Sequence, residues 1–367
     1  MPMLRAILGL LAVSFVISFL LTRFMVWFSV RIGFVDKPGG RKIHARPKPL
    51  GGGVAILLGF CIPMLAALFY VHLQPPPETA GVNGPAYWSG IRQETPLAVG
   101  IIVAAVLLHI LGVIDDIRAL GPYPKLIAQL LIVSMVVIAG KLGVLTVLGF
   151  WPSLVLSILW ITAITNAFNF LDNMDGLSSG IAVVCTAAFL IATISIGQWF
   201  VAAMLALLLG TTAGFLCFNF PPASIFMGDG GSLPLGFLLA VATVRATYLM
   251  PGTELANRWW SVLSPVIVLA VPLYDLVVVS AIRLSRGKSP FVGDTNHFSH
   301  RLVARGMSRR TAVLCLYLIS AATAVAAIIL PQVRTTFSAL LLMGQTVLIL
   351  GVVALLEQHP LPPNEKE

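Results

Sequence analysis

Eleven apolar runs of bilayer-spanning character dominate this chain, and they restrict what it can fold into more than any other feature. At about 1.5 Å of rise per residue, roughly 20 apolar residues in a helix cross about 30 Å of hydrocarbon. The runs are Leu4 to Phe28, Val54 to Val71, Leu97 to Ile114, Pro124 to Ala139, Leu154 to Phe168, Gly180 to Ile196, Phe200 to Phe218, Leu233 to Met250, Val262 to Ile282, Ala312 to Leu330 and Phe337 to Leu356. With 58% hydrophobic and only 10% charged residues in 367, an ordinary soluble domain is excluded. The expected fold is all-α, a polytopic integral membrane protein of eleven transmembrane helices forming one domain over residues 1–367.

The first run is longer than a signal-peptide core and has no small-residue cleavage site after it, so it is expected to be retained as a helix. Cys61, Cys185, Cys217 and Cys315 all lie inside apolar runs without C-x-x-C spacing. Neither a disulfide framework nor a zinc site is therefore indicated.

Charge orients the helices. Odd-numbered loops and the C-terminal tail hold 16 of the 23 Lys and Arg, whereas even-numbered loops and the N-terminus hold 5. The positive-inside rule places the odd loops in the cytoplasm. All eight aspartates (Asp36, Asp115, Asp116, Asp172, Asp175, Asp229, Asp275 and Asp294) lie at or near that face, whereas the glutamates lie in even-numbered loops or the tail. Single carboxylates in loops are usually solvated ends. Eight on one face, with Asp115, Asp172 and Asp229 beside helix ends, point instead to a shared polar cleft, because a lone carboxylate in hydrocarbon costs about 2.5–3.5 kcal/mol.

Each loop supplies a different chemistry. GVIDDIRALGPYPK carries adjacent carboxylates, Asp115 and Asp116, then a Gly-Pro turn and Lys125. Helix neighbours point about 100° apart, so one can address a metal and the other a substrate or a structural partner. NAFNFLDNMDGL places Asn166, Asn169, Asp172 and Asp175 at every third position, a spacing that aligns on a 3₁₀ turn and predicts one polar wall. Hard oxygens of this kind suit Mg²⁺ or Mn²⁺ and the amide edges of a base or sugar. FMGDGGSLPLG sets Asp229 between glycines that open a helix, where backbone can approach a phosphate closely. The ninth loop combines His297, His300 and Arg301 with further cations and suits a polyanion. Together these elements describe phosphoryl chemistry at a membrane surface.

VDKPGGRKIHARPKPLGGG, GVIDDIRAL, NAFNFLDNMDGL, FMGDGGSLPLG and DTNHFSHRL, in this order, resemble the signature loops of the polyprenyl-phosphate N-acetylhexosamine-1-phosphate transferases, in the bacterial WecA/TagO-like branch. The resemblance spans nearly the whole chain. It implies transfer of a sugar 1-phosphate, commonly N-acetylglucosamine 1-phosphate, from a UDP-sugar to undecaprenyl phosphate with Mg²⁺ (or Mn²⁺), releasing UMP at the cytoplasmic face of the bacterial inner membrane. Carried over by position, it makes Asp229 the leading metal ligand and places Asp115 and Asp116 near the metal and the incoming lipid phosphate. Asn166, Asn169, Asp172 and Asp175 would help hold nucleotide and metal. Lys125, His297, His300 and Arg301 would contact phosphate or sugar, with Arg41, Lys42 and His44 as further candidates from the first loop. The implied partners are a UDP-sugar, undecaprenyl phosphate, the lipid bilayer and a second copy in a homodimer, with no nucleic acid.

One departure stands out. The branch commonly has His-x-His-His in the ninth loop, and Ser299 replaces the middle histidine here. Among other readings, phospho-N-acetylmuramoyl-pentapeptide transferases normally have ten helices and consecutive histidines in that loop. An intramembrane prenyltransferase would need N-D-x-x-D, which is absent. A cation-coupled transporter would place its carboxylates near the bilayer midplane rather than at one face.

Overall fold

The computed structural model describes residues 2–36, 47–76, 84–246, 259–289 and 297–358, and forms two compact units, Met1–Thr247 and Tyr248–Glu367. Arg41, Lys42, His44 and Asp294 lie outside the described residues.

In the first unit the order is α1 (Pro2–Arg31), β1 (Val35–Asp36), β2 (Lys48–Pro49), α2 (Gly52–Leu73), α3 (Gly84–Ile117), α4 (Pro122–Ala139), α5 (Phe150–Leu171), α6 (Leu177–Ser195), α7 (Trp199–Asn219) and α8 (Asp229–Arg245). The second unit holds α9 (Ser264–Val268), α10 (Ala270–Ser285), α11 (Phe298–Ala304), α12 (Arg309–Ile329) and α13 (Thr336–Gln358). Among the described residues nine helices are long and apolar enough to span a bilayer, or ten if the helical stretch Trp259–Val268, which ends in α9, and α10, bent by 69°, form one broken span. The expected eleven is not reached. The eighth apolar run, 233–250, forms a helix of 17 residues, Asp229–Arg245, and residues 247–250 are not described. The bend in the ninth run follows from Pro272, whose missing N–H cannot bond the carbonyl one turn back.

The packing of α1 reverses the soluble pattern. The buried positions of α1 are Ile7, Ser14, Ser18, Thr22, Met25 and Ser29, mostly small polar residues one turn apart, while most of its large apolar residues face outward. Lipid solvates those outward residues, so association rests on close approach and hydrogen bonds. Gly210 and Gly214 of α7 let the two backbones meet, since a Cβ at Gly214 would lie 2.6 Å from the Phe15 carbonyl oxygen. Ser14 and Ser18 then donate to the carbonyls of Leu207 and Thr211, each at 2.7 Å.

Two prolines inside helices expose carbonyls that other helices satisfy. Pro63 in α2 leaves the Gly59 carbonyl without its helical donor, and the Ser14 hydroxyl, 2.8 Å away, shares its single proton between this carbonyl and that of Leu207. Pro234 in α8 does the same to the Gly230 carbonyl, which accepts from His109 Nδ1 of α3 at 2.6 Å.

Helix α8 is the axis of this unit. It packs against α2, α3, α5, α6 and α7, and every residue from Gly230 to Thr243 is buried. A helix apolar all round belongs in the interior. Its start therefore carries Asp229 to the place where α2, α4 and α6 begin and where α1, α3, α5 and α7 end.

Candidate active site

The α7–α8 segment, residues 220–228, is held from all sides. Gly52 and Gly53 donate to the carbonyls of Phe226 and Met227 at 3.1 and 3.2 Å, and Phe226 N–H donates to Pro49 O at 2.9 Å. This uses the LGGG stretch of the first loop. A side chain at Gly53 would place its Cβ 2.5 Å from Gly231 N. Asp175 Oδ2 accepts from Ala223 N–H at 2.9 Å, and Lys48 Nζ donates to the Ala223 carbonyl. Asn219 Nδ2 donates to Ile225 O at 2.9 Å while its Oδ1 accepts from Gly176 N–H and the Ser179 hydroxyl.

Asp116 fixes the first turn of α8. Its Oδ1 and Oδ2 accept from the N–H groups of Asp229 and Gly230 at 2.9 and 3.0 Å. A carboxylate at a helix N-terminus satisfies orphan donors and complements the helix dipole. Gly228 adopts φ +68°, and a Cβ there would lie 2.6 Å from Asp116 Oδ2, so glycine is required twice over. Gly112 lets α3 approach the same turn, since a Cβ there would lie 2.5 Å from Gly230 N.

Asp115 turns the other way. Its Oδ1 accepts from Leu120 N–H at 2.7 Å and its Oδ2 accepts from Lys125 Nζ at 3.0 Å. Lys125 also donates to Asn169 Oδ1 at 3.2 Å and pairs with Asp229 Oδ2. Asn169 Nδ2 completes the ring, donating to Asp229 Oδ1 at 2.7 Å and to the Ser232 hydroxyl at 2.9 Å. Helices α3, α4, α5 and α8 thus each contribute one side chain to a single cluster: Asp115, Lys125, Asn169 and Asp229.

Asp172, at the end of α5, accepts from the Gly228 backbone. Desolvation, and then the nearby carboxylates of Asp229, Asp116 and Asp175, push its carboxyl well above the usual range. Such a cluster of mutually repelling acids is what a cation relieves.

The polar wall expected from the every-third spacing divides. Asn166 turns to α4, donating to Gln129 Oε1 at 2.6 Å and to its own helix at Thr162 O. Asn169 faces Asp229, Asp172 holds Gly228, and Asp175 holds Ala223. The reason is local: α5 stays α-helical to Leu171, so its side chains rotate, and the chain then turns through Gly176 at φ +72°. Sequence reasoning missed His109 and Ser232. An isolated histidine in the apolar run of α3, two turns before Asp116, was the available signal for the first.

In the second unit, His297 is buried at the start of α11. Its Nδ1 donates to Asp275 Oδ2 at 2.8 Å, Phe298 N–H donates to Asp275 Oδ1 at 2.7 Å, and Arg283 Nη2 lies 3.4 Å from Nε2. Both ring nitrogens are engaged, which fixes the ring against α10. The rings of His297 and His300 are 6.3 Å apart, and Arg301 lies half-buried on the same short helix.

Residues 98–247 match the glycosyl transferase family 4 pattern, a span that contains the whole cluster around Asp229. The chain is also 31% identical over 358 residues to the "probable undecaprenyl-phosphate N-acetylglucosaminyl 1-phosphate transferase" of Bacillus subtilis (strain 168), covering 94% of this chain and 91% of that protein. The chain belongs to glycosyl transferase family 4. A decaprenyl-phosphate N-acetylglucosaminephosphotransferase of Mycobacterium leprae is 32% identical over 85% of this chain and 80% of its own length. The undecaprenyl-phosphate alpha-N-acetylglucosaminyl 1-phosphate transferase of Escherichia coli (strain K12) is 25% identical over 83% and 79%. In this family member the glycines, amides and carboxylates of four separate loops meet at one end of the first unit.

The link between Pro234 and His109 can be measured. His109→Leu strands the Gly230 carbonyl at a cost of about 1–3 kcal/mol. Pro234→Ala restores the helical N–H that would bond it. Thermal unfolding in detergent is expected to show a smaller loss for His109→Leu in the Pro234→Ala background than in the parent. Equal losses in both backgrounds would show that the carbonyl is not what couples the two residues.

Proposed function

We propose that this protein transfers N-acetylglucosamine 1-phosphate, or a related hexosamine 1-phosphate, from a UDP-sugar to undecaprenyl phosphate, releasing UMP and starting a lipid-linked cell-envelope glycan. The observation that carries the reading is the convergence of Asp115, Asn169 and Asp229 on the Lys125 ammonium at the mouth of a membrane helix bundle. The names of the relatives carry the polyprenyl phosphate acceptor and the N-acetylglucosamine 1-phosphate group. Basic residues Arg31, Lys48, Arg118 and Lys125 flank this end of the bundle, which supports a site at the cytoplasmic face of the bacterial inner membrane.

The donor chemistry fits Mg²⁺ or Mn²⁺. Two carboxylates and an amide oxygen already surround one positive centre, although among the described residues no three His, Cys, Asp or Glu side chains form a ready cage. Asp229, Asp115 and Asn169 would hold the ion, with Asp172 beside them. A bound divalent ion would neutralise charge on the diphosphate.

The residues themselves divide the remaining work. Lys125 offers an ammonium to phosphoryl oxygens. Asp116 keeps the start of α8 in place and so aims Asp229. A lipid phosphate monoester, with its second pKa near about 6, is mostly dianionic at neutral pH and needs no obligatory base. Direct attack on the sugar-linked phosphorus is therefore favoured over a phosphorylated aspartate, with Asp115 orienting the incoming phosphate.

A panel of radiolabelled UDP-sugars tests this reading on purified protein. Label is expected to enter the organic phase with UDP-N-acetylglucosamine or a related hexosamine, only when undecaprenyl phosphate is present. Transfer that ignores the lipid phosphate would contradict it.

A further inference from the structure

Lys125 occupies the point toward which the oxygens of the site are aimed. Its Nζ has three protons and meets three acceptors: Asp115 Oδ2 at 3.0 Å, Asn169 Oδ1 at 3.2 Å and Asp229 Oδ2. Those acceptors come from α3, α5 and α8, while the lysine enters from the first turn of α4. Its side chain is 14% exposed. Three oxygens from three helices around one half-buried positive charge is the arrangement a small cation takes, and here the cation is covalently attached to the protein.

Resting on the reading that a divalent ion serves the transfer, we infer that Lys125 is a built-in counter-cation for the metal position. A divalent ion and the Lys125 ammonium occupy the Asp115–Asn169–Asp229 oxygens in turn, never together. Both need the same lone pairs, and two positive centres within one such ring repel strongly in a partly desolvated site. Neither can be omitted without cost, because Asp115, Asp116, Asp172 and Asp229 put four carboxylates close together. The flexible four-carbon stem of lysine allows the exchange, and the oxygens need not move.

The exchange has a direction. With the site free of nucleotide, a metal ion must displace the ammonium and leave it without acceptors. When a diphosphate is bound, the displaced ammonium gains phosphoryl oxygens in place of the carboxylates it gives up. Metal and nucleotide therefore bind with positive coupling, and by linkage each raises the affinity of the other. Before the substrate arrives, Lys125 holds the carboxylates in their working positions.

Mn²⁺ is the probe, with free ion measured by electron paramagnetic resonance on the purified full-length protein without nucleotide. Lys125→Met is expected to bind Mn²⁺ at least tenfold more tightly than the parent, and Lys125→Met combined with Asp229→Asn to lose that gain. Affinity of Lys125→Met equal to or weaker than the parent's would overturn the exchange, as would a gain that survives Asp229→Asn. Should the variant not fold, the parent supplies a second readout. Reductive methylation of Lys125, followed by mass spectrometry, is expected to rise several-fold at saturating Mn²⁺, and unchanged or reduced labelling overturns the inference. A parent that takes up Mn²⁺ with UDP-N-acetylglucosamine while Lys125→Met brings no gain defeats the exchange alone. Absence of Mn²⁺ uptake by both proteins, with and without nucleotide, defeats the metal reading together with the exchange.

Discussion

Asp229→Asn is expected to reduce sugar-phosphate transfer by on the order of 10²–10³-fold or more, the scale on which loss of one preorganised electrostatic contact acts, while the protein still inserts and folds. The substitution keeps the shape of the side chain. Asn169 Nδ2 can still donate to the remaining oxygen, as it does to Asp229 Oδ1 at 2.7 Å. Lys125 retains Asp115 and Asn169 as acceptors. What disappears is the charge aimed from the buried axis of the unit into the cleft. Thermal unfolding close to the parent's, with kcat lost even at saturating Mg²⁺, is the expected pairing. Activity comparable to the parent's under those conditions would remove Asp229 from the metal role. Asp36→Asn is expected to be far milder, since Asp36 lies in β1 opposite Lys48 and positions the chain.

Asp116→Ala should behave differently, although Asp116 adjoins Asp115. It strands the Asp229 and Gly230 N–H groups at the start of α8, at about 1–3 kcal/mol for each buried donor left unmade. It also removes a negative charge from a helix N-terminus. Stability and activity are therefore expected to fall together, and Asp116→Asn, which keeps one acceptor oxygen, should recover part of both. A stable Asp116→Ala protein without activity would instead place Asp116 among the groups that touch substrate. Measuring unfolding and turnover on the same preparations separates this positioning role from the charge role of Asp229.

These two roles show where sequence could reach and where it stopped. Apolar run lengths located the helices because the bilayer sets their length, and the glycine-flanked Asp229 was legible because only a close-packed turn needs so many glycines in a row. The division of labour between Asp115 and Asp116 was open until the backbone showed which one faces the start of α8. The every-third polar spacing suggested one wall, but the end of α5 at Leu171 and the turn at Gly176 send its members to different partners. The pairing of His109 with Pro234 joins residues 125 positions apart through a carbonyl, and side-chain patterns carry no record of a carbonyl freed by a distant proline. The same holds for Asp275, which fixes His297 across 22 positions.

The cluster of Asp115, Lys125, Asn169 and Asp229 is proposed to direct attack at phosphorus. A glycosyltransferase acting at the sugar carbon leaves UDP, whereas attack on the sugar-linked phosphorus leaves UMP. Purified protein incubated with UDP-N-acetylglucosamine, undecaprenyl phosphate and Mg²⁺ is expected to yield UMP and a lipid-linked diphosphate sugar in equal amounts. UDP as the nucleotide product would contradict the account.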